Sequence, residues 1–358
     1  MRLSQTGRRL LVTRGLSSVR DALAGIRQDS SPGEFSLLAS YITPLTPLRH
    51  IVDQLLSEPE ASPDEWLSWL AETVLTERID LVWPQAWIKT LLRYPAAVVK
   101  LGVPVLLPCR DEDTFRLFQN KDACHAALGT RLPEVPLPWQ RAATGVAEVR
   151  AALEACRDLG MAPCIKPLEG MYGLGFRMID KHGSAMRRIL TNDTYSISES
   201  DLLTALSAEV KPPALLVMEY LAGDERSLDI LAWHGKVIAS VVRRKSSAFG
   251  GRWQTIERDP ESEAIAAKVV DEFGLHGVIN LQTRERVLHD SGRQPCFLEA
   301  NLRMSGGIGR SRAAGLNLPL WAVRLALGTA TTADVPTDSC TGFVATYESA
   351  VLVGQAAE

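Results

Sequence analysis

Apolar residues recur along this chain in two rhythms. Leu10-Leu11-Val12-Thr13, Phe35 to Tyr41, Asp80 to Trp83 and Val103 to Leu107 are short continuous runs and read as buried strands. Trp66, Trp69, Leu70 and Val74 instead fall at helical spacing. Ser62-Pro63-Asp64-Glu65 gives that helix its start. A serine and a glutamate three positions apart can each take a free N–H of the first turn, and proline presets the backbone there. Strands alternating with helices predict a small parallel α/β sheet over residues 1–110. No glycine-rich turn of the dinucleotide-binding kind follows its first strand.

A helical stretch is expected from Asp111 to Leu128. The prolines of Leu132-Pro-Glu-Val-Pro-Leu-Pro138 then predict an extended linker. From Ala162 the pattern changes to strands, turns and glycine loops: Cys164 to Pro167, Phe176 to Ile179, Leu215 to Met218, Ser227 to Leu231, Val237 to Val242, Gly277 to Thr283 and Cys296 to Arg303. This half reads as α+β with mostly antiparallel pairing. The expected divisions are 1–110, 111–222 and 223–358.

Composition narrows the class. Hydrophobic residues make up 46% and charged residues 23%, as in ordinary globular chains. The formal charge is −3, with basic residues scattered, so the concentrated positive patch needed for nucleic acid or anionic membranes is missing. Small-molecule partners are expected. Met1 to Val12 has no continuous apolar core and no later segment reaches the roughly 18 apolar residues of a membrane helix, which makes the cytoplasm the expected address. The six cysteines form no C-x-x-C pair and predict neither a disulfide framework nor a zinc site.

Candidate chemistry concentrates in Phe297-Leu-Glu299-Ala-Asn301-Leu-Arg303. Period-two alternation puts Glu299, Asn301 and Arg303 on one face of a strand. Gly277 to Gln282 alternates likewise, and with Asp290-Ser-Gly292 as a turn the two runs can pair as a hairpin that brings Asn280 and Gln282 near Glu299 and Asn301. Such an oxygen cluster suits Mg²⁺; an exposed polar hairpin face is the competing explanation. In Cys164-Ile-Lys166-Pro-Leu-Glu-Gly170-Met-Tyr-Gly173-Leu-Gly175 a lysine closes a strand and glycines lead to another. This is either a flap over phosphates or a flexible hairpin tip. Leu215 to Glu225 runs from an apolar strand into Glu219 and then Glu225, acids that can accept from a base amine or a ribose, or can simply be solvated. Arg243-Arg244-Lys245, with Arg252 beyond a Ser/Gly loop, is a candidate for recognising an anionic acceptor or a solvated basic loop.

Taken in order, Lys121, Lys166 with its glycine loop, Glu219 to Glu225, Gln282, and Glu299-x-Asn301-x-Arg303 resemble the ATP-grasp superfamily, most nearly the carbamoyl phosphate synthetase-like carboxylate-amine ligases. The resemblance spans about residues 5–330. It implies an N-terminal α/β domain followed by two subdomains clasping ATP. It also implies that Lys121 and Lys166 hold phosphates and that Gly170, Gly173 and Gly175 form a lid. Glu219, Tyr220 and Leu221 would take adenine, and Glu225 the ribose. Gln282, Glu299 and Asn301 would bind Mg²⁺, with Mn²⁺ as an alternative, and Arg303 would face the transferred phosphate, with Lys166 and Glu299 as its catalytic partners. The implied activity is an ADP-forming ligase acting on a carboxylate and a nucleophile, in a chain that could form a homodimer. A phosphotransferase, or a catalytically silent nucleotide-binding regulator, is the alternative.

Overall fold

The structure is a computed structural model that describes residues 7–168, 175–180, 184–245, 253–288, 292–347 and 350–354. The chain forms two compact units, one of Met1–Phe115, Glu225–Gln282 and Ala300–Glu358, the other of Arg116–Asp224 and Thr283–Glu299. In chain order the strands are β1 (Arg8–Val12), β2 (Phe35–Tyr41), β3 (Gln54–Ser57), β4 (Leu81–Trp83), β5 (Gln140–Thr144), β6 (Pro163–Pro167), β7 (Arg177–Asp180), β8 (Ser196–Ser198), β9 (Ala214–Glu219), β10 (Glu225–Trp233), β11 (Lys236–Lys245), β12 (Trp253–Glu257), β13 (Gly277–Val287), β14 (Arg293–Asn301) and β15 (Gly342–Ala345).

The N-terminal sheet of the first unit runs β3-β2-β1-β4, and every pairing is parallel. Leu10, Val12, Leu37, Ala39, Leu81 and Trp83 pack with Val19, Ala22, Leu23 and Ile26 of the helix Ser18–Asp29. The alternate positions Leu11, Leu38 and Val82 pack with Trp66, Leu70 and Val74 of the helix Pro63–Thr76. Both strand faces are buried, so each strand shows in the sequence as an unbroken apolar run. The expected capping box is formed: the Ser62 N–H donates to Glu65 at 2.9 Å and the Glu65 N–H to the Ser62 hydroxyl at 3.5 Å. Val103 to Leu107, expected as a strand, contributes one parallel bridge from Val105 to Val82. Its neighbour Pro104 and the following Pro108 lack the N–H that a ladder needs. β3, half-buried and only four residues long, carries no such apolar run.

The larger sheet runs β14-β13-β10-β11-β12-β15, with β10 to β11, β11 to β12 and β12 to β15 antiparallel. β13 and β14 also contribute residues to the second unit. His234 and Gly235, at φ 49° and 79°, make the two-residue turn between β10 and β11, the left-handed geometry that matches strand twist.

In the second unit the sheet runs β5-β9-β6-β7-β8, antiparallel except for β7 to β8. Val149, Ala152 and Leu153 of the helix Gly145–Asp158 and Leu202 and Leu206 of the helix Glu199–Ala208 cover Ile165 and Val217. The helical stretch expected from Asp111 is two helices, Glu112–Gln119 and Lys121–Arg131, interrupted at Asn120. The Asn120 side chain caps the second by accepting from the Ala123 N–H at 3.0 Å. Gly170, Gly173, Arg252 and Asp290 lie outside the described residues.

Cys109, Cys124, Cys156, Cys164 and Cys296 are buried free thiols, whereas Cys340 is exposed. Burial pushes Cys109, Cys124 and Cys164 up to about 12 and Cys156 and Cys296 up to about 11. Among the described residues no helix is long and apolar enough to cross a membrane.

Candidate active site

In the second unit, Lys166 sits on β6 opposite Leu216 of β9, only 9% exposed. Lys121 opens the helix Lys121–Arg131, and one turn later that helix buries Cys124 and His125. Lys166 and Glu299 both lie near enough to this helix for their charges to bear on Cys124 and His125. His125 Nε2 donates to the Leu298 carbonyl at 3.1 Å, which ties the helix to the residue before Glu299. Burial, the dominant effect, lowers His125 to about 4 and keeps it neutral. Its Nδ1 is a buried acceptor that meets no hydrogen-bond partner among the described residues. Nothing in the sequence pattern singled His125 out, since a lone histidine on a helix reads as core.

Glu219 closes β9, and its carboxylate is gripped by Arg286, Nε to Oε1 at 2.7 Å and Nη2 to Oε2 at 2.8 Å. This planar fork occupies the acid that was expected to face a base. The Glu219 and Tyr220 N–H groups donate to the Trp139 and Ala162 carbonyls. Tyr220 lies under Arg284, 5.1 Å from guanidinium to ring centre. Leu221 is buried. Gly175, at φ 79°, has room only for hydrogen, because a Cβ would meet Pro167 at 2.6 Å.

In the first unit, Asn301 and Arg303 are joined by a hydrogen bond from Nη2 to Oδ1 at 3.3 Å, and Arg303 Nη1 donates to the Met304 carbonyl at 3.1 Å. Gln282 donates its amide to Asn280 Oδ1 at 3.3 Å, which leaves the Gln282 carbonyl oxygen as the atom it presents. Asn280, expected among the oxygen ligands, is buried. Its NH₂ is spent on Ser227, the Leu228 carbonyl and Asp229 at 2.9, 3.0 and 3.1 Å. It supports Gln282 from below. A crevice beside Arg303 is lined by Trp83, Gln85, Leu106, His276 and Val278. His276 is lowered to about 4, chiefly by burial and then by His234, and packs on Trp233 with ring centres 4.1 Å apart.

Of the three cations at the end of β11 only Arg243 is buried, and Arg244 and Lys245 are half-exposed and paired with acids. Arg243 is 2% exposed and bonds Asp229, Gln254, Ser227 and Ser305. Arg244 pairs with Glu257 at 2.8 Å. Lys245 pairs with Glu225, the residue opposite it on β10 and the expected ribose ligand. Asp229, fully buried, also accepts from the Ser311 hydroxyl at 2.5 Å. The short polar side chains that complete this network are ordinary in sequence, which is why no pattern revealed it.

The parallel N-terminal sheet and the antiparallel sheets that follow are arranged as in the ATP-grasp fold. Residues 211–349 match the family described as ATP-grasp in the biosynthetic pathway with Ter operon. No curated protein matches the sequence. Among solved structures the chain is similar to an L-amino acid ligase from Bacillus licheniformis, at 14% identity and a TM-score of 0.60, covering 92% of this chain and 77% of that one. It is also similar to an N5-carboxyaminoimidazole synthase from Aspergillus clavatus, in complex with ADP and 5-aminoimidazole ribonucleotide, at 15% identity and a TM-score of 0.61, covering 93% and 79%. A third is the biotin carboxylase domain of a Hydrogenobacter thermophilus 2-oxoglutarate carboxylase, in complex with MgADP, ADP and bicarbonate, at 13% identity and a TM-score of 0.59, covering 93% and 71%. At such identities the likeness is one of fold.

Proposed function

We propose that this chain is an ADP-forming ligase that phosphorylates a carboxylate with ATP and passes the acyl group to an amine or similar nucleophile. The observation that carries this reading is that the helix Lys121 opens is tied through His125 to the Leu298 carbonyl, beside Glu299 on β14, while Asn301 and Arg303 follow on that strand and its exit. The neighbours' ADP and MgADP complexes support the choice of nucleotide.

Lys121 and Lys166 are point charges for the phosphates, and the sequence resemblance assigns Gly170, Gly173 and Gly175 to the same phosphates. Arg286 holds Glu219 in place, so adenine recognition falls to the Tyr220 carbonyl and the Leu221 peptide, with the Lys245–Glu225 pair towards the ribose. Among the described residues no three His, Cys, Asp or Glu side chains gather for a metal. The hard oxygens of Gln282, Asn301 and Glu299 fit Mg²⁺, or Mn²⁺, which keeps waters and borrows phosphate oxygens. When bound, the ion would neutralise phosphate charge.

The carboxylate oxygen attacks the γ-phosphorus and ADP leaves with the bridging oxygen. Arg303, its guanidinium held at two of its nitrogens by Asn301 and the Met304 carbonyl, stabilises the charge spread over the transferred group. The nucleophile then attacks the acyl carbon, phosphate departs, and the amine loses its proton. Incubation with Mg-ATP, a carboxylate panel and hydroxylamine tests this: ADP, phosphate and a hydroxamate are expected in equal amounts. AMP and pyrophosphate as stoichiometric products would overturn the reading, and a stable phosphorylated product would favour a phosphotransferase.

A further inference from the structure

The strand order β3-β2-β1-β4 reverses direction between β1 and β4, because the chain first builds outward from β1 on one side and then returns to add β4 on the other. In parallel sheets the loops leaving the carboxyl ends of two such strands splay apart and leave a crevice there. Here those loops are Thr13-Arg14-Gly15 and Pro84-Gln85-Ala86. They are locked together: the Gln85 N–H donates to the Thr13 hydroxyl at 3.1 Å and the Ala86 N–H to the Arg14 carbonyl at 3.0 Å. A Cβ on Gly15 would meet Gln85 Cβ at 2.6 Å.

Arg14 is held in a way that surface arginines are not. Its Nε donates at 2.7 Å to Glu58, whose side chain is wholly buried, and its N–H donates to the same carboxylate at 3.2 Å. Glu58 is itself fixed by Ser40 at 2.5 Å, Trp66 at 3.2 Å and Trp87 at 2.6 Å, and the Arg14 guanidinium lies 5.4 Å from the Trp87 ring centre. Burying a carboxylate costs several kcal/mol unless every lone pair is used, and five donors here serve one acid. What this arrangement achieves is aim. The two terminal guanidinium nitrogens meet no hydrogen-bond acceptor among the described residues, and neither does the Gln85 amide. A rigid, solvent-accessible fork of N–H donors at the switch point has the geometry that pairs two oxygens of one anion. Gln85 in turn lines the same crevice as Arg303.

We propose that Arg14 and Gln85 form a recognition site for an anionic oxygen group, a carboxylate or a phosphate, and that the substrate of the proposed ligase carries this second anion besides the carboxylate activated beside Arg303. The naming of the ligand as substrate rests on the ligase reading; the anion site does not, and it is tested without nucleotide. The full chain, labelled with ¹⁵N-arginine, is titrated with inorganic phosphate and separately with succinate, with chloride at matched ionic strength as control. The Arg14 Nε–H resonance is assigned by its loss in Arg14→Lys. Saturable movement with phosphate alone marks a phosphate-bearing ligand, movement with succinate alone a dicarboxylate, and either supports the site. Arg14→Lys, which keeps the charge and loses the fork, is expected to weaken whichever anion binds about 10- to 100-fold, as read by its stabilising effect on melting. No saturable movement with either anion, the same movement with chloride, or undiminished binding in Arg14→Lys overturns the proposal.

Discussion

Gly307 and Arg243 are packed so closely that a Cβ on the glycine would lie 2.3 Å from Arg243 Nη1. The guanidinium has nowhere to retreat, since its nitrogens are bonded to Asp229, Gln254, Ser227 and Ser305. The Gly307 N–H also donates to the Ser305 hydroxyl at 3.0 Å, so the turn leaving Arg303 is moulded on a buried arginine.

Gly307→Ala is therefore expected to destabilise the chain by about 1–3 kcal/mol, the usual cost of overpacking. Arg243→Ala, which leaves Asp229 buried without its cation, is expected to cost about 3–5 kcal/mol. Urea unfolding midpoints measure both, and a Gly307→Ala midpoint equal to the parent's would show that the network yields freely.

Arg303→Ala is expected to lower kcat by about 100- to 1000-fold while changing the KM for ATP only a few-fold, as for a donor whose contact strengthens with the transferred charge. Glu299→Gln keeps the shape of the side chain but removes the carboxylate of the proposed metal set, and should abolish turnover. Steady-state ADP release reads both. Wild-type kcat in Arg303→Ala would remove its assigned role.

Mg-ATP at about 100 times its dissociation constant should stabilise the fold by about 2.7 kcal/mol. Excess EDTA should cancel most of that gain, because two lysines alone neutralise little of a triphosphate. Differential scanning calorimetry with and without chelator tests the pair of statements.

His125 and His276 are both lowered to about 4, chiefly by burial. The unfolded chain binds protons at these histidines near their ordinary value of about 6.5, so between roughly pH 6.5 and 4 the unfolded state holds more protons than the folded. Stability is thus full above pH 6.5 and falls as pH is lowered, by up to about 1.4 kcal/mol per pH unit for each histidine. Urea midpoints at pH 7 and 5 should separate, and the gap should narrow in His276→Asn. An unchanged gap would place the acid sensitivity elsewhere.

How much of this was legible in the sequence depends on how local each signal is. The strands β1, β2 and β4 announce themselves because both of their faces are apolar, and the Ser62–Glu65 cap is complete within four residues. The strand positions of Lys166, Glu299 and Asn301, and of Arg303 just beyond, could be read because the strands that carry them have a regular pattern. Three cations in a row read either as a site for an anionic acceptor or as a solvated loop, and only the positions of Asp229, Gln254 and Ser305 on other elements turn Arg243 inward. Glu219 likewise reads as a ligand for a base or as a solvated acid, because its partner Arg286 is distant in sequence. Arg14 and Glu58 gave no signal at all, because their meaning comes from two loops and two tryptophans that meet only in the folded sheet.

The distribution of sulfur has a practical side. Five of the six thiols are shut inside and held protonated far above neutral pH, whereas Cys340 lies at the surface. Thiolate is the species that reacts with maleimides, so the native chain carries a single attachment point for a fluorophore or spin label. A dye placed there reports on the first unit without the cysteine replacements that such work usually demands, and the appearance of further reactive thiols on heating becomes a direct count of which core has opened.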